Sequence, residues 1–298
     1  MRSKNASKIN IYCSSLLVVC ILFSLLFCFG YQQDIAGQEQ AVANTADNEQ
    51  LKLVFIDVGQ GDSILLVAPN GQAMLIDGGD QEASAAVLAA LAAADIEELA
   101  CIVATHPHSD HIGGLPAVFA KTTVKSVCMP KVSHDTLAFE KFLTAIKNEG
   151  SNIIWAQAGG FIAIDDNLKI EIKSPFLQEH SNLNNYSVVL HIIYKEKSFL
   201  LMGDAEAEVE RHLAGLQADL LKVGHHGSQG SSDDLLLRAL GAQAAVISCG
   251  KANDYGHPHE QTLEALAKYN MTIYRTDLNG NITVLCDGKK IAVEVEKQ

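Results

Sequence analysis

Positive charge is what this chain has least of: 22 Lys and Arg stand against 35 Asp and Glu, a net charge of −13, and the basic residues nowhere gather into a dense run. Residues 1–50 hold three of the basic and four of the acidic side chains, which leaves 19 against 31 in residues 51–298, a net of −12 there. Such a surface does not draw a polyanion without metal ions or a local basic patch, so binding of nucleic acid by charge alone is excluded. None of the seven cysteines forms a CxxC pair. Cys13, Cys20 and Cys28 fall in an N-terminal apolar run, and Cys101, Cys128, Cys249 and Cys286 lie scattered in strand-like apolar runs, where a thiol is a small buried hydrophobe. No GxxxxGK[ST] nucleotide loop, internal repeat or Pro-rich linker occurs, and composition does not break after Leu51. One catalytic domain over residues 51–298 is therefore expected, in a chain of 298 residues whose 48% apolar composition suffices for a full core.

The N-terminus reads differently. Ile9 to Gly30 is a nearly uncharged apolar run preceded by Arg2, Lys4 and Lys8, long enough to span a bilayer, and the positive-inside bias places the rest of the chain outside the cytoplasm. Residues 1–31 are expected to be a signal anchor. A signal peptide is the second reading, its cleavage triplet Ala41-Val42-Ala43 lying far from the apolar run. Neither Cys20 nor Cys28 comes after a small residue, which puts a lipoprotein third. Residues 32–50, rich in Gln, Ala, Asn and acid, read as a polar tether, so the domain is anchored outside the cytoplasm or secreted.

From Leu51 onward the hydrophobic pattern predicts strands over Leu51–Ile56, Ser63–Ala68 and Gln72–Ile76, the last two joined by the hairpin signal Pro69-Asn70-Gly71. Strand and helix then alternate: a helix over Ala83–Ala94, a strand over Ala100–Ala104, a helix near Ile112–Ala120, a strand over Val124–Met129, a helix over Thr136–Glu149 and a strand over Asn152–Trp155. Strands come next at Leu168–Ile172, Ser187–Tyr194 and Ser198–Met202, then a helix over Glu206–Ala214, a strand over Leu220–Val223, further alternation, and closing strands at Thr272–Arg275, Ile282–Cys286 and Ile291–Val295. Meanders mixed with βα units predict an α/β (α+β) fold of two sheets, each covered by helices on one face.

The run Thr105-His106-Pro107-His108-Ser109-Asp110-His111 comes directly after the strand Ala100–Ala104 and packs three imidazoles and a carboxylate into six residues. These are ligands that a borderline cation such as zinc accepts, and a turn at a strand end brings alternate side chains to one point. His106 and His108 share a parity and suit one ion, while Asp110 and His111, past the bend, suit a second. The remaining ligands must come from elsewhere.

With its flanks, the cluster resembles the HxHxDH signature of the metallo-β-lactamase superfamily. Phe55-Ile56-Asp57-Val58-Gly59-Gln60-Gly61-Asp62-Ser63, Met74-Leu75-Ile76-Asp77-Gly78-Gly79, Leu200-Leu201-Met202-Gly203-Asp204, Leu221-Lys222-Val223-Gly224-His225-His226-Gly227-Ser228 and Tyr255-Gly256-His257-Pro258 are similar to the hydrolase domain of ComEC-type DNA-uptake proteins, in order over residues 51–298. The resemblance implies a four-layer αββα sandwich with two divalent metal ions at one edge, zinc the first expectation and manganese the second. It makes His106 and His108 ligands of the first ion, Asp110 and His111 ligands of the second, Asp204 the bridging carboxylate, and His225 the last ligand of the second ion, with His226 as its rival. Where many members supply a third histidine to the first ion, this chain has Asn184-Asn185-Tyr186-Ser187, which supports the ComEC-type branch and weakens the first site. Asp77 is expected to brace the metal loop. Asp110, Asp62 and His257 are the candidate catalytic groups, and His180 reads as a surface loop residue.

The implied chemistry is hydrolysis with no protein nucleophile: the ions lower the pKa of a bound water toward about 7, so that a metal-bound hydroxide attacks, and they accept charge on the phosphoryl oxygen. The expected substrate is a phosphodiester, including DNA, cleaved outside the cytoplasmic membrane. Two alternatives stand beside this nuclease reading: a small-molecule, phosphorylcholine-type esterase, and a metal-binding surface module without catalysis. The sequence carries no signal for oligomeric state.

Overall fold

Alternation in Leu51-Lys52-Leu53-Val54-Phe55 buries every second side chain completely and half-buries the rest, as a strand between two packed layers requires. The computed structural model of the chain describes residues 50–297, so the expected membrane segment over residues 1–31 and the tether, apart from its last residue, lie outside the described residues. No helix among the described residues is long and apolar enough to cross a membrane.

Two large sheets form the centre. The first has eight strands in the order Ile291–Val295, Ile282–Cys286, Leu51–Phe55, Ile64–Val67, Ala73–Ile76, Cys101–Val103, Ser126–Met129 and Asn152–Trp155. Its last four strands run parallel and its first five antiparallel. The hairpin predicted at Pro69-Asn70-Gly71 joins Ile64–Val67 to Ala73–Ile76, with Gly71 at φ 83° in a turn closed by its N–H on the Ala68 carbonyl at 2.8 Å. The second sheet has seven strands in the order Thr272–Arg275, Ala244–Ile247, Leu220–Lys222, Lys197–Leu201, Val189–Tyr194, Leu168–Ser174 and Phe161–Ile162. Its first four are parallel.

Three apolar clusters show how the layers stack. One draws Leu53, Phe55, Met74 and Val103 from the first sheet and Ile170, Leu190, Phe199 and Val246 from the second, so the two sheets face each other across it. Another sets the opposite face of the first sheet, Leu75, Ile102 and Val127, against Val87 and Leu91 of the helix Ser84–Ala93 and Phe142 and Ile146 of the helix Leu137–Glu149. The third sets Leu200, Leu221 and Ala245 of the second sheet against Leu236, Leu240 and Leu266 of the helices Asp234–Leu240 and Glu260–Lys268. The result is a helix, sheet, sheet, helix arrangement of mixed α/β type. Cys101, Cys128, Cys249 and Cys286 are buried and free, as small apolar side chains of these layers.

Two expected helices are shorter than predicted. Ile112–Ala120 is instead two pieces, Ser109–Ile112 and Leu115–Phe119, parted at Gly113-Gly114. Gly114 lies against the loop after Ala73–Ile76: its N–H donates to the Gly79 carbonyl at 2.9 Å, and a Cβ there would fall 2.1 Å from the Gly78 oxygen. The segment Glu206–Ala214 makes one α-turn, Ala207–Glu210, and then tightens into a 3₁₀ turn over Arg211–Leu213. The strand Phe161–Ile162 and the one-turn helix Thr276–Asn279 had no signal in the hydrophobic pattern.

Candidate metal centre

The parallel strands aim their C-terminal ends at one edge, where a sheet exposes side chains from successive loops without moving its backbone. Asp77 comes after Ala73–Ile76, the histidine run after Cys101–Val103, Asp204 after Lys197–Leu201, and His225 and His226 after Leu220–Lys222. All of these loops meet.

Side-chain donors of Asp110, His111, Asp204 and His226 lie within 4.8 Å of one another. The Asp204 Oδ2 atom is 3.3 Å from His111 Nε2, 3.4 Å from His226 Nε2 and 3.8 Å from His106 Nε2, which puts Asp204 at the middle of the group. Asp110 Oδ2 is 3.3 Å from His226 Nε2 and 3.7 Å from His111 Nε2. Each imidazole is oriented through its other nitrogen. His111 Nδ1 donates to Asp77 Oδ2 at 2.8 Å, and Asp77 is held in turn by the Thr105 N–H at 2.8 Å and the Thr105 hydroxyl at 2.6 Å. His226 Nδ1 donates to the Ser248 carbonyl at 3.0 Å. The inward-facing Nε2 atoms of both rings and Asp204 Oδ1 are buried and make no hydrogen bond among the described residues. Buried polar atoms without hydrogen-bond partners are costly, and a divalent cation between the two Nε2 atoms and the Asp204 carboxylate would offset that cost. The donor set fits a metal ion.

His225 and His226 have φ of 46° and 52°, a left-handed conformation that non-glycine residues seldom adopt. This backbone decides between the two histidines. It sends His226 inward, 1% exposed, and turns His225 toward Glu206, whose Oε1 lies 2.8 Å from His225 Nδ1. His225 Nε2 remains 3.8 Å from Asp204 Oδ2 and is not among the four grouped donors. The sequence places His225 first, with His226 as its rival; in the fold it is His226 whose ring nitrogen groups with Asp110, His111 and Asp204.

Beneath the group lies a buried ion pair. Lys222, fully buried, places Nζ 2.6 Å from Asp62 Oδ2 and donates also to the carbonyls of Val223 at 2.8 Å and Gly203 at 3.3 Å. All three ammonium hydrogens are used, and they tie together the loops carrying Asp62, Asp204 and the histidine pair. Asp62 is 2% exposed and its Oδ1 lies 3.5 Å from His226 Nδ1, so it supports the ring from below and does not line the cleft. The sequence names Asp62 as a candidate catalytic group; in the fold it is buried against Lys222 and lies outside the residues that line the cleft.

The other half is less supported. His106 Nε2 lies 3.0 Å from His108 Nδ1, and His106 Nδ1 meets the hydroxyls of Thr105 at 3.1 Å and Ser187 at 3.4 Å. Among the described residues no carboxylate stands behind either ring as Asp77 stands behind His111, and the Asp204 Oδ2 atom, 3.8 Å from His106 Nε2, lies on the inward side. The buried Asn184 lines the cleft with its Oδ1 unpartnered, in the place where the sequence lacks a third histidine. His180 is no surface residue: it is buried, with Nδ1 2.9 Å from Glu208 Oε1, and Glu208 also takes the Asn185 amide at 2.9 Å, so the pair backs the turn that presents Asn184. Tyr186 of the turn Leu183–Tyr186 packs on it, ring centroids 5.1 Å apart, and its hydroxyl accepts the His180 N–H at 3.0 Å.

Charge shows the same division. Burial opposes ionisation of Asp204 and Asp110, yet His226 and His111 hold both carboxyls well below the usual range. Burial likewise opposes charge on His111 and His226, and the surrounding carboxylates, Asp204 first, raise both well above the ordinary histidine value. Burial would raise Asp62, but Lys222 and His226 bring it down to about 2. Burial pushes Asp77 up, with His111 opposing. His106 is held well below its ordinary value by burial and by His111, and His108 is lowered by burial against the pull of Asp110. The cleft above has a volume of about 340 Å³ and is lined by Asp110, Asp204, His225, His226, His257 and the unpredicted Gln60, His134, Thr136 and Tyr255, among others. Burial and the neighbouring His225 and His226 bring His257 down to about 4.

Comparison with known proteins gives consistent relatives. A profile described as the metallo-beta-lactamase superfamily matches residues 56–251. The chain is 34% identical to "ComE operon protein 3" of Bacillus subtilis over 76% of its own length and 32% of that protein. It is 32% identical to "Recombination protein 2" of Haemophilus influenzae, covering 77% of this chain and 28% of that one, and 29% identical to "Competence protein ComA" of Neisseria gonorrhoeae, covering 78% and 32%. The chain thus spans about a third of the length of these relatives. Among solved structures, the metallo-beta-lactamase fold protein YhfI of Bacillus subtilis superposes with a TM-score of 0.55 at 14% identity, over 80% of this chain and 99% of that one. CmlA, a diiron beta-hydroxylase from Streptomyces venezuelae, superposes with 0.53 at 16% identity, over 78% and 53%.

Proposed function

Because this chain belongs to the metallo-β-lactamase superfamily, and to its ComEC-like branch, we propose that it is a metal-dependent phosphodiesterase that acts on nucleic acid outside the cytoplasmic membrane. The observation that carries the reading is the convergence of Asp110, His111, Asp204 and His226 with three buried atoms left unpartnered, opening onto a cleft. Those four residues would hold one divalent ion, zinc or manganese. His106, His108 and Asp204, with the Asn184 amide, would hold a second. Such ions would supply acidification of a water and neutralisation of charge on a phosphoryl oxygen.

The residues do the rest. Asp110 lines the cleft with a side chain 28% exposed, so its carboxylate both binds and orients the attacking water. His257 also lines the cleft, uncharged at neutral pH, with its buried Nδ1 unpartnered, and offers a hydrogen bond to the leaving oxygen. Asp77, Asp62 and Lys222 hold the ligands in place and touch no substrate.

A small diester is the second reading, favoured by the absence of Lys and Arg from the residues lining the cleft. A module that only binds metal is third, since it has no use for an open space beside its ligands. The assay is hydrolysis of bis-p-nitrophenyl phosphate and of single-stranded DNA by the full chain loaded with zinc or manganese. EDTA-sensitive cleavage of both supports the nuclease. Cleavage of the small diester alone selects the esterase, and stoichiometric metal without any cleavage selects the binding module.

A further inference from the structure

Near-parallel rings step outward from the metal centre. His226 and His257 have centroids 6.2 Å apart with planes 30° apart, and His257 and Tyr255 have centroids 5.6 Å apart with planes 22° apart. Tyr255, the outermost, is 66% exposed and lines the cleft. A large aromatic left that open contributes little to folding, yet the backbone that carries it is held. Asn253 Nδ2 donates to the carbonyls of His257 at 2.6 Å and Gly250 at 2.8 Å, and its Oδ1 accepts the N–H groups of His257 at 3.0 Å and Tyr255 at 3.2 Å. One side chain thus clamps both ends of the loop that presents the ring.

The same loop is joined to a free donor. Gln60 Oε1 accepts the Gly250 N–H at 3.1 Å, which assigns the amide orientation and leaves Nε2 buried, unpartnered and on a residue that lines the cleft. A buried donor with no hydrogen-bond partner and an exposed aromatic ring, on two residues that line one cleft, make the arrangement of a ligand subsite.

Resting on the phosphodiesterase reading, we propose that Tyr255 and Gln60 form a nucleobase subsite: the base next to the scissile phosphate of a single strand stacks on Tyr255, and the Gln60 amide donates to an oxygen of the same nucleotide. This accounts for how an acidic protein holds a nucleic acid. The cleft offers no Lys or Arg to the phosphates, whereas base stacking on an aromatic ring needs no charge and tolerates any sequence. The subsite thus selects strands that are unpaired and bear bases.

The test compares a fluorescently labelled oligothymidine with a strand of equal length whose bases are replaced by abasic spacers. Equilibrium binding to the metal-loaded full chain is read by anisotropy, and cleavage is tracked in parallel on gels. The wild type should bind the base-bearing strand more tightly. Tyr255→Leu should shrink that preference on the order of tenfold or more, the size of one lost stack, and Tyr255→Phe should keep it. Gln60→Leu should weaken binding of the base-bearing strand less than Tyr255→Leu does. Equal binding of the two strands by the wild type, or an unchanged preference in Tyr255→Leu, overturns the subsite. If the preference behaves as expected but neither strand is cut with any divalent ion, the subsite stands and the phosphodiesterase reading fails.

Discussion

The two halves of the candidate metal centre differ in how their histidines are held. In one, His111 is fixed by Asp77, His226 is fixed by the Ser248 carbonyl, and the Asp62–Lys222 pair lies directly beneath. In the other, His106 rests on two hydroxyls, His108 is half-exposed, and an asparagine stands where a third imidazole would complete the set. A ligand oriented in advance gives up less freedom on binding metal, and a carboxylate behind an imidazole raises its basicity. The braced half should therefore fill first and hold its ion more tightly.

The largest effect tests what the halves share. Asp204 is the residue whose carboxylate lies near ligands of both, so Asp204→Ala should empty both and lower EDTA-sensitive hydrolysis by more than about a hundredfold, beyond the roughly 10–100-fold typical of a supporting residue. Metal content per chain by emission spectrometry checks it. If one ion survives, the carboxylate belongs to one half only.

Next comes the pair below the braced half. Lys222→Met leaves Asp62 buried without its cation and should cost roughly 3–5 kcal/mol of stability in denaturant unfolding. Asp62→Asn added to it should recover part of that loss, since the uncompensated charge is then gone. If the double variant is as unstable as the additive sum of the single changes, the pair is not coupled.

Asp77→Asn should weaken the tighter ion about 10–100-fold in competition titrations, whereas Ser187→Ala, behind His106, should change the weaker ion only a few-fold. Similar effects at both would erase the contrast.

pH separates the halves by sign. In the metal-free protein His111 and His226 titrate well above the ordinary value of 6.5, so their contribution to stability is complete below about pH 6.5 and is lost as pH rises through their folded values. Metal must displace those protons, so the braced half should gain affinity as pH rises, by up to about tenfold per unit for each proton released. His106, lowered by burial, holds no proton to release at neutral pH, and the open half should vary less. Calorimetry in buffers of different ionisation enthalpy counts the protons.

Much of this contrast could be read from the residues before any coordinates. The apolar runs placed the central strands to within a residue or two, and the clustered histidines marked the sheet edge, because strand hydrophobicity and ligand chemistry are local properties. What hydrophobic pattern could not supply was the choice within His225-His226. Both residues there take a left-handed backbone, and their rings part only in the folded chain, His226 inward and His225 onto Glu206. Lys222 was equally hidden: a lysine inside a strand has no visible partner until Asp62 is brought to it from 160 positions away. His180 was misjudged for the same reason, since its burial depends on a turn that forms over it. The split at Gly113-Gly114 came from a backbone contact with Gly78, again a long-range cause.

The most direct test of the contrast between the halves is a crystal structure of the metal-loaded protein with anomalous scattering from the bound ion. The strongest peak is expected among Asp110, His111, Asp204 and His226, with a weaker one or none beside His106 and His108. A peak ligated by His225 in place of His226, or the stronger peak at His106 and His108, would contradict it.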